Sequence, residues 1–167
     1  MRELMPSAEK IGAMLKSRGE SVAVAESTTG GLISAAILAV AGASAYFIGG
    51  GVVYTLKGRR ALGIPDDDFK GFRSVTEQYS MALARRARER FGATWTVAEI
   101  GASGPTGNRY GDAAGHSCVA IAGPVEASLT IETGSADRVA NMYAFSARAL
   151  DLLAQSIAAA APPVREH

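Results

Sequence analysis

The chain has 167 residues, of which 48% are hydrophobic and 20% charged, and a formal net charge of +1. That length suits one domain spanning 1–167, long enough to bury most of its apolar surface. Near-neutral charge excludes a broad nucleic-acid or membrane surface, since both need concentrated positive charge. The single cysteine, Cys118, excludes an internal disulfide and gives no metal-ligand spacing. No apolar run has transmembrane length and the N-terminus lacks a signal-peptide layout, so a cytoplasmic location is the expectation.

In chain order, Leu4, Ile11, Met14 and Leu15 recur at helical spacing and predict a helix over residues 3–18, ended by Gly19. Residues 21–25 read as a strand buried on both faces, because they are small, apolar and partly β-branched. Glu26, Ser27, Thr28 and Thr29 then form a polar turn, followed by Gly30, Gly31 and an Ala-rich helix over residues 32–40. A strand, a polar turn and a helix put side chains and free backbone N–H groups at the carboxyl end of a strand, the usual ligand position in open α/β sheets. One hydroxyl suffices to cap a helix. Three hydroxyls and a carboxylate exceed that need and point to a site.

A second strand is expected over residues 46–54, where Gly49, Gly50 and Gly51 require a bulge or a close approach by another group. Residues 56–62 form a short basic segment with Lys57, Arg59 and Arg60, and Asp66–Asp68 reads as a solvated acidic turn rather than a metal site. A long helix is predicted over residues 75–91, entered at Ser74 or Thr76, with Arg85, Arg86, Arg88 and Arg90 on its solvated face. Residues 94–100 are a third strand and GASGPTGNRYG a glycine-rich loop. Residues 115–122 and 125–132 form a hairpin at Gly123-Pro124, and a helix over residues 136–160 leads into a loose tail, 161–167. Cys118 lies in HSCVAIA and reads as a buried structural thiol. Alternating elements with a late hairpin imply an α/β fold: a three-layer α/β/α sandwich with a mixed, mostly parallel sheet.

Three segments could carry chemistry: the Ser27 turn, residues 54–60 and the GASGPTGN loop. Each follows a strand, so a parallel arrangement gathers them on one sheet edge. The loop lacks the GxxxxGK[ST] spacing of a P-loop but could offer N–H groups to a phosphate or oxyanion. The histidines are His116, which opens a strand, and His167, the last residue, so no Ser-His-Asp triad is proposed. A serine nucleophile without histidine needs another base, such as lysine or tyrosine. Lys57 and Tyr54 are the candidates, because arginine does not release its proton near neutrality. Glu26 would orient that base or lie buried as a structural acid.

AESTTGG with its Ala-rich helix resembles the AES-C-TGG signature of the C-terminal domain of the competence/damage-inducible protein CinA, a domain that also occurs alone as nicotinamide mononucleotide amidohydrolase. The likeness extends through GASAYFIGGGVVYT, GASGPTG, GHSCVAIAG and GSADR. It implies the α/β/α fold and hydrolysis of a nicotinamide amide with release of ammonia. Ser27 matches the family's nucleophile and Tyr54 its tyrosine, and phosphate and ribose contacts fall on Gly104, Pro105, Thr106 and Gly107. Glu26, Thr28, Thr29, Gly30 and Arg59 complete the candidate substrate contacts.

The chain also departs from the pattern. The family's lysine five residues after the tyrosine is Arg59, its asparagine two after is Leu56, the polar residue before GASGP is Ile100, and the arginine four after Arg138 is Met142. These changes set an alternative beside the amidohydrolase: a family member that binds a nucleotide or small phosphorylated ligand without turnover. A third reading is a structural role as a homo-oligomer. The expected partners are a phosphorylated small molecule, such as a pyridine mononucleotide, and further copies of the chain. No cofactor or metal is expected.

Overall fold

The computed structural model describes residues 1–163. Its main elements are α1 (Met5–Arg18), β1 (Val22–Glu26), α2 (Leu32–Leu38), β2 (Phe47–Val52), α3 (Leu56–Ala61), α4 (Glu77–Phe91), β3 (Trp95–Ala102), β4 (His116–Ala122), β5 (Ala127–Glu132) and α5 (Arg138–Ala159). The five strands form one sheet in the order β2-β1-β3-β4-β5. β1 pairs parallel with β2 and with β3, whereas β3–β4 and β4–β5 are antiparallel. Four strands therefore run one way and only β4 runs against them, because a hairpin follows β4. The fold is the expected mixed α/β/α sandwich.

Side-chain size differs between the two sheet faces. Val22, Val24, Trp95, Val97, Val119 and Ile121 point to one side and pack with Ile11, Leu15, Ile33, Phe145 and Leu153 of α1, α2 and α5. Burying each large aliphatic group contributes about 1.5–3 kcal/mol. The opposite face presents Ala25, Ala98, Ala120 and Ala122 to Leu83, Ala84 and Ala87 of α4. Period-2 alternation of large and small side chains thus lets α4 lie close to the sheet while three helices cover the bulky side.

Most elements lie where the sequence puts them, with shifts at their ends. Gly19 closes α1 in the left-handed conformation at φ 65°. α2 stops at Leu38, two residues short of the predicted end, and a short 3-10 turn over Ala43–Ala45 precedes β2. Thr76 caps α4 by accepting from the Tyr79 N–H at 3.2 Å. Asp66–Asp68 departs from a freely solvated turn: it lies in a 3-10 segment whose Asp66 pairs with Arg59 and Arg60 and whose Asp68 pairs with Arg86. Cys118 is buried, which pushes its thiol up to about 11. At the tail, the Ala161 carbonyl accepts from Arg18 at 2.7 Å; the expectation of a loose tail otherwise concerns residues 164–167, outside the described residues. Among the described residues, no helix is long and apolar enough to cross a membrane.

Candidate functional site

β1, β2 and β3 run parallel, so their carboxyl ends meet at one sheet edge, as the sequence predicts. A pocket of about 490 Å³ opens there, lined by Ser27 and Thr28, by Tyr54, Leu56 and Arg59, and by Ile100 and Gly101. Ser74, Val75, Tyr79, Asn108, Arg109 and Tyr110 close its far side. All three candidate segments contribute, though not through every predicted residue.

The Ser27 turn is built on two buried carboxylates. Glu26 and Glu99 are register partners on adjacent parallel strands, and both have zero exposure. Glu26 accepts from the N–H groups of Ile33 and Ser34 at 3.1 and 3.0 Å and from the Ser34 and Thr29 hydroxyls at 2.6 and 2.7 Å. The amides at the start of α2, read from sequence as open to a ligand, are therefore filled by the chain's own acid. Glu26 and Thr29 hold the turn from beneath and do not line the pocket. Gly50 explains part of the glycine run in β2: a Cβ there would come within 2.4 Å of Ser34 Oγ, the hydroxyl that reaches Glu26. The expected bulge also occurs, as a register shift between Val22 and Ala23, which face Phe47 and Gly49.

Glu99 accepts from Ser27 N–H at 3.1 Å, Thr29 N–H at 3.0 Å, Thr28 Oγ1 at 2.5 Å and Ser117 Oγ at 2.9 Å. Burial pushes its carboxyl above the ordinary range, against the pull of these donors. Of the three hydroxyls in the turn, those of Thr28 and Thr29 are consumed by the acids. The Ser27 hydroxyl makes none of the side-chain hydrogen bonds among the described residues and faces the pocket that Ser27 lines. Gly30 is exposed but does not line the pocket, and Met142 Cε would be 3.0 Å from a Cβ at that glycine.

The opposite wall holds two of the three predicted residues. Lys57 is exposed and does not line the pocket: α3 turns Leu56 and Arg59, three residues apart, inward, and Lys57 lies about 100° around the helix from Leu56. Arg59 is 4% exposed and its guanidinium carbon sits 3.9 Å over the Phe69 ring. Its Nη2 pairs with Asp66 at 2.5 Å and its Nη1 donates to the Tyr79 hydroxyl, while Nε has no partner. Arg60 and Arg59 together draw the Asp66 carboxyl down to about 2. Tyr54 does line the pocket, and its hydroxyl accepts from Arg138 at 3.2 Å.

Gly104, Pro105, Thr106 and Gly107 do not line the pocket. β3 extends through Gly101 and Ala102, and the loop beyond it folds onto itself. Gly104 gives its carbonyl to Arg138 at 2.5 Å, and Asn108 gathers the N–H groups of Tyr110 and Asp112 at 2.9 and 3.1 Å. The pocket wall falls instead to Asn108, Arg109 and Tyr110, which Arg73 pins through the Tyr110 carbonyl and Asp112 at 2.8 and 2.7 Å.

Sequence reasoning missed Glu99, Ser117, Ser34 and Arg138. Glu99 had a readable signal, since a lone carboxylate in an otherwise apolar buried strand requires partners. Asn108 and Arg138 close the GASGPTGN and GSADR runs, but nothing local marks the partners they take.

The family model for the CinA C-terminal domain matches residues 5–157. A CinA-like protein of Prochlorococcus marinus is 41% identical over 112 residues, covering 66% of this chain and 26% of that protein. Another from Chloroherpeton thalassium is 35% identical over 156 residues, covering 89% of this chain and 37% of its own length. The chain thus spans about a quarter to two fifths of these relatives. Among solved structures, a competence/damage inducible protein of Agrobacterium tumefaciens superposes with a TM-score of 0.82 at 29% identity, covering 90% of this chain and 93% of that one. A CinA superfamily protein of Enterobacter cloacae gives 0.84 at 26% identity, with 92% of each chain covered. This chain belongs to the CinA C-terminal domain family.

Proposed function

We propose that the chain is an amidohydrolase for nicotinamide mononucleotide, with Ser27 as nucleophile. One observation carries the reading: in a turn whose other hydroxyls and flanking amides are engaged by buried acids, the Ser27 hydroxyl alone is left facing the pocket. Ser27 Oγ attacks the carboxamide carbon, the C–N bond breaks and ammonia leaves with the serine proton. Water then hydrolyses the acyl-enzyme, releasing the carboxylate and restoring the hydroxyl. Tyr54, whose oxygen accepts from Arg138 in the same pocket, serves as the relay for the serine proton. The Thr28 N–H, next to the nucleophile, is the turn amide not bound to Glu99 and suits the developing oxyanion. Arg109, on the far side of the pocket, supplies positive charge for the phosphate.

The test is ammonia release from nicotinamide mononucleotide by the purified protein beside Ser27→Ala. Turnover lost in the variant supports the reading, and no turnover in the parent protein sinks it. A second reading, nucleotide binding without turnover, draws on the position of Lys57 outside the pocket and on Arg59 in place of a base. It predicts calorimetric binding of the nucleotide that Ser27→Ala leaves unchanged.

A further inference from the structure

Four donors converge on one buried carboxylate directly under the candidate nucleophile, and they divide between its two oxygens. Glu99 Oε2 takes the amides of Ser27 and Thr29, at 3.1 and 3.0 Å. Oε1 takes the hydroxyls of Thr28 and Ser117, at 2.5 and 2.9 Å. Thr29 Oγ1, 3.1 Å from Oε2, ties Glu99 to Glu26, whose carboxylate fixes the start of α2. The acid itself sits mid-strand in β3, between its register partners Glu26 of β1 and Val119 of β4. Its position is therefore set by the sheet, not by the loop it supports. Amides on either side of Thr28 turn down toward Oε2, while Ser27 and Thr28 line the pocket above.

We propose that Glu99 is the positioning residue for the Ser27 nucleophile: its Oε2 holds the Ser27 and Thr29 amides beneath the turn and so fixes the Ser27 hydroxyl and the Thr28 N–H toward the substrate. This rests on the reading of Ser27 as nucleophile and goes beyond it, because Glu99 touches no substrate. Positioning matters because a misplacement of about 1 Å in a catalytic group costs about 10²-fold in rate.

The division of labour between the two oxygens makes the role testable. An amide fits the site if its oxygen stands at the Oε2 position, facing the two N–H groups, and its NH2 faces hydroxyls that can accept. Glu99→Gln thus keeps the Oε2 bonds. Glu99→Asp keeps the carboxyl group but withdraws both oxygens by one methylene, about 1.5 Å, and loses them.

The readout is the rate at which a fluorophosphonate modifies Ser27, with fluoride leaving as the Oγ–P bond forms and the serine proton passing to solvent. Calorimetric binding of nicotinamide mononucleotide is measured on the same samples. The expected result is Glu99→Gln within about threefold of the parent rate and Glu99→Asp slower by about 10²-fold, with affinity within about twofold for both. Equal rates in the parent protein and Glu99→Asp overturn the proposal. So does a parallel loss of reactivity and nucleotide binding in Glu99→Asp, which marks a purely structural acid.

If Glu99→Asp does not fold, Ser117→Ala removes an Oε1 partner and leaves both Oε2 amides in place. Retained reactivity there, with Glu99→Gln also reactive, supports the proposal, and a loss in either overturns it. A parent protein that the probe labels at Ser27 but that releases no ammonia removes the amidohydrolase reading and leaves this one standing. An unlabelled Ser27 removes both.

Discussion

The two walls of the pocket are held in opposite ways. On one side, the Ser27 turn rests on Glu26 and Glu99, both of zero exposure, which accept its amides and hydroxyls from inside the sheet. On the other, residues 54–60 hang from the surface, and Arg59 is kept in place by Asp66, itself 40% exposed, and by Tyr79. The first wall is preorganised, since buried charge-assisted hydrogen bonds resist displacement. The second depends on an ion pair between a buried guanidinium and an acid that reaches water, so salt acts on it from the Asp66 side. The serine signature sits on the buried wall, while Leu56 and Arg59, two of the departures, sit on the surface wall beside Ile100 at the end of β3.

Breaking the buried wall at its reactive atom has the largest expected effect: Ser27→Ala lowers ammonia release on the order of 10³-fold or more. Repairing the surface wall comes next. Arg59→Lys puts a releasable proton site where the family has its lysine, and ammonia release rises by about 10²-fold, the scale of general-base catalysis. Lys57→Ala, outside the pocket, serves as the silent control in the same assay. An unchanged or slower Arg59→Lys would mean that the surface wall lacks more than a base.

Glu26→Ala tests the foundation instead of the chemistry. It strands the N–H groups of Ile33 and Ser34 and two hydroxyls in the interior, and the urea midpoint falls by the equivalent of about 3 kcal/mol. A small change would mean that water replaces the carboxylate at no cost.

The smallest effect concerns His116, which ties the surface wall to the sheet. Its Nδ1 meets Glu132 and its Nε2 lies 3.2 Å from the carbonyl of Val75, a pocket residue held at φ 57°, with Asp112 3.8 Å away. Two acceptors require both ring nitrogens to donate, as in the imidazolium. Burial lowers the His116 pKa, but the bonds to Glu132 and Val75 outweigh it and raise it above the ordinary 6.5. The folded form thus binds the proton more tightly than the unfolded chain. This stability is complete below 6.5 and is lost as pH rises through the folded value. His116→Gln flattens the decline in melting temperature as pH rises above 6.5; an unaltered slope would assign that decline to other groups.

The sequence by itself determined the architecture and the sheet edge where the candidate segments gather. Uniformly small or β-branched residues at 21–25, alternation in the later strands and a late Gly-Pro turn specify strand burial and the hairpin, since each depends on local periodicity. The AESTTGG run marks the turn because a cluster of hydroxyls after a buried strand has few local explanations.

Which of those hydroxyls faces the pocket was decided only by the tertiary structure. Glu99, 72 residues from Ser27, claims the neighbouring amides through strand register, and no local pattern encodes the pairing of β1 with β3. The inward turn of Arg59 and the outward turn of Lys57 likewise follow from where α3 meets Asp66, Phe69 and Tyr79. The glycine-rich loop lost its predicted role for the same reason. Arg138 draws the Gly104 carbonyl and Asn108 gathers the amides of Tyr110 and Asp112, so the loop folds on itself and residues 104–107 stand outside the pocket.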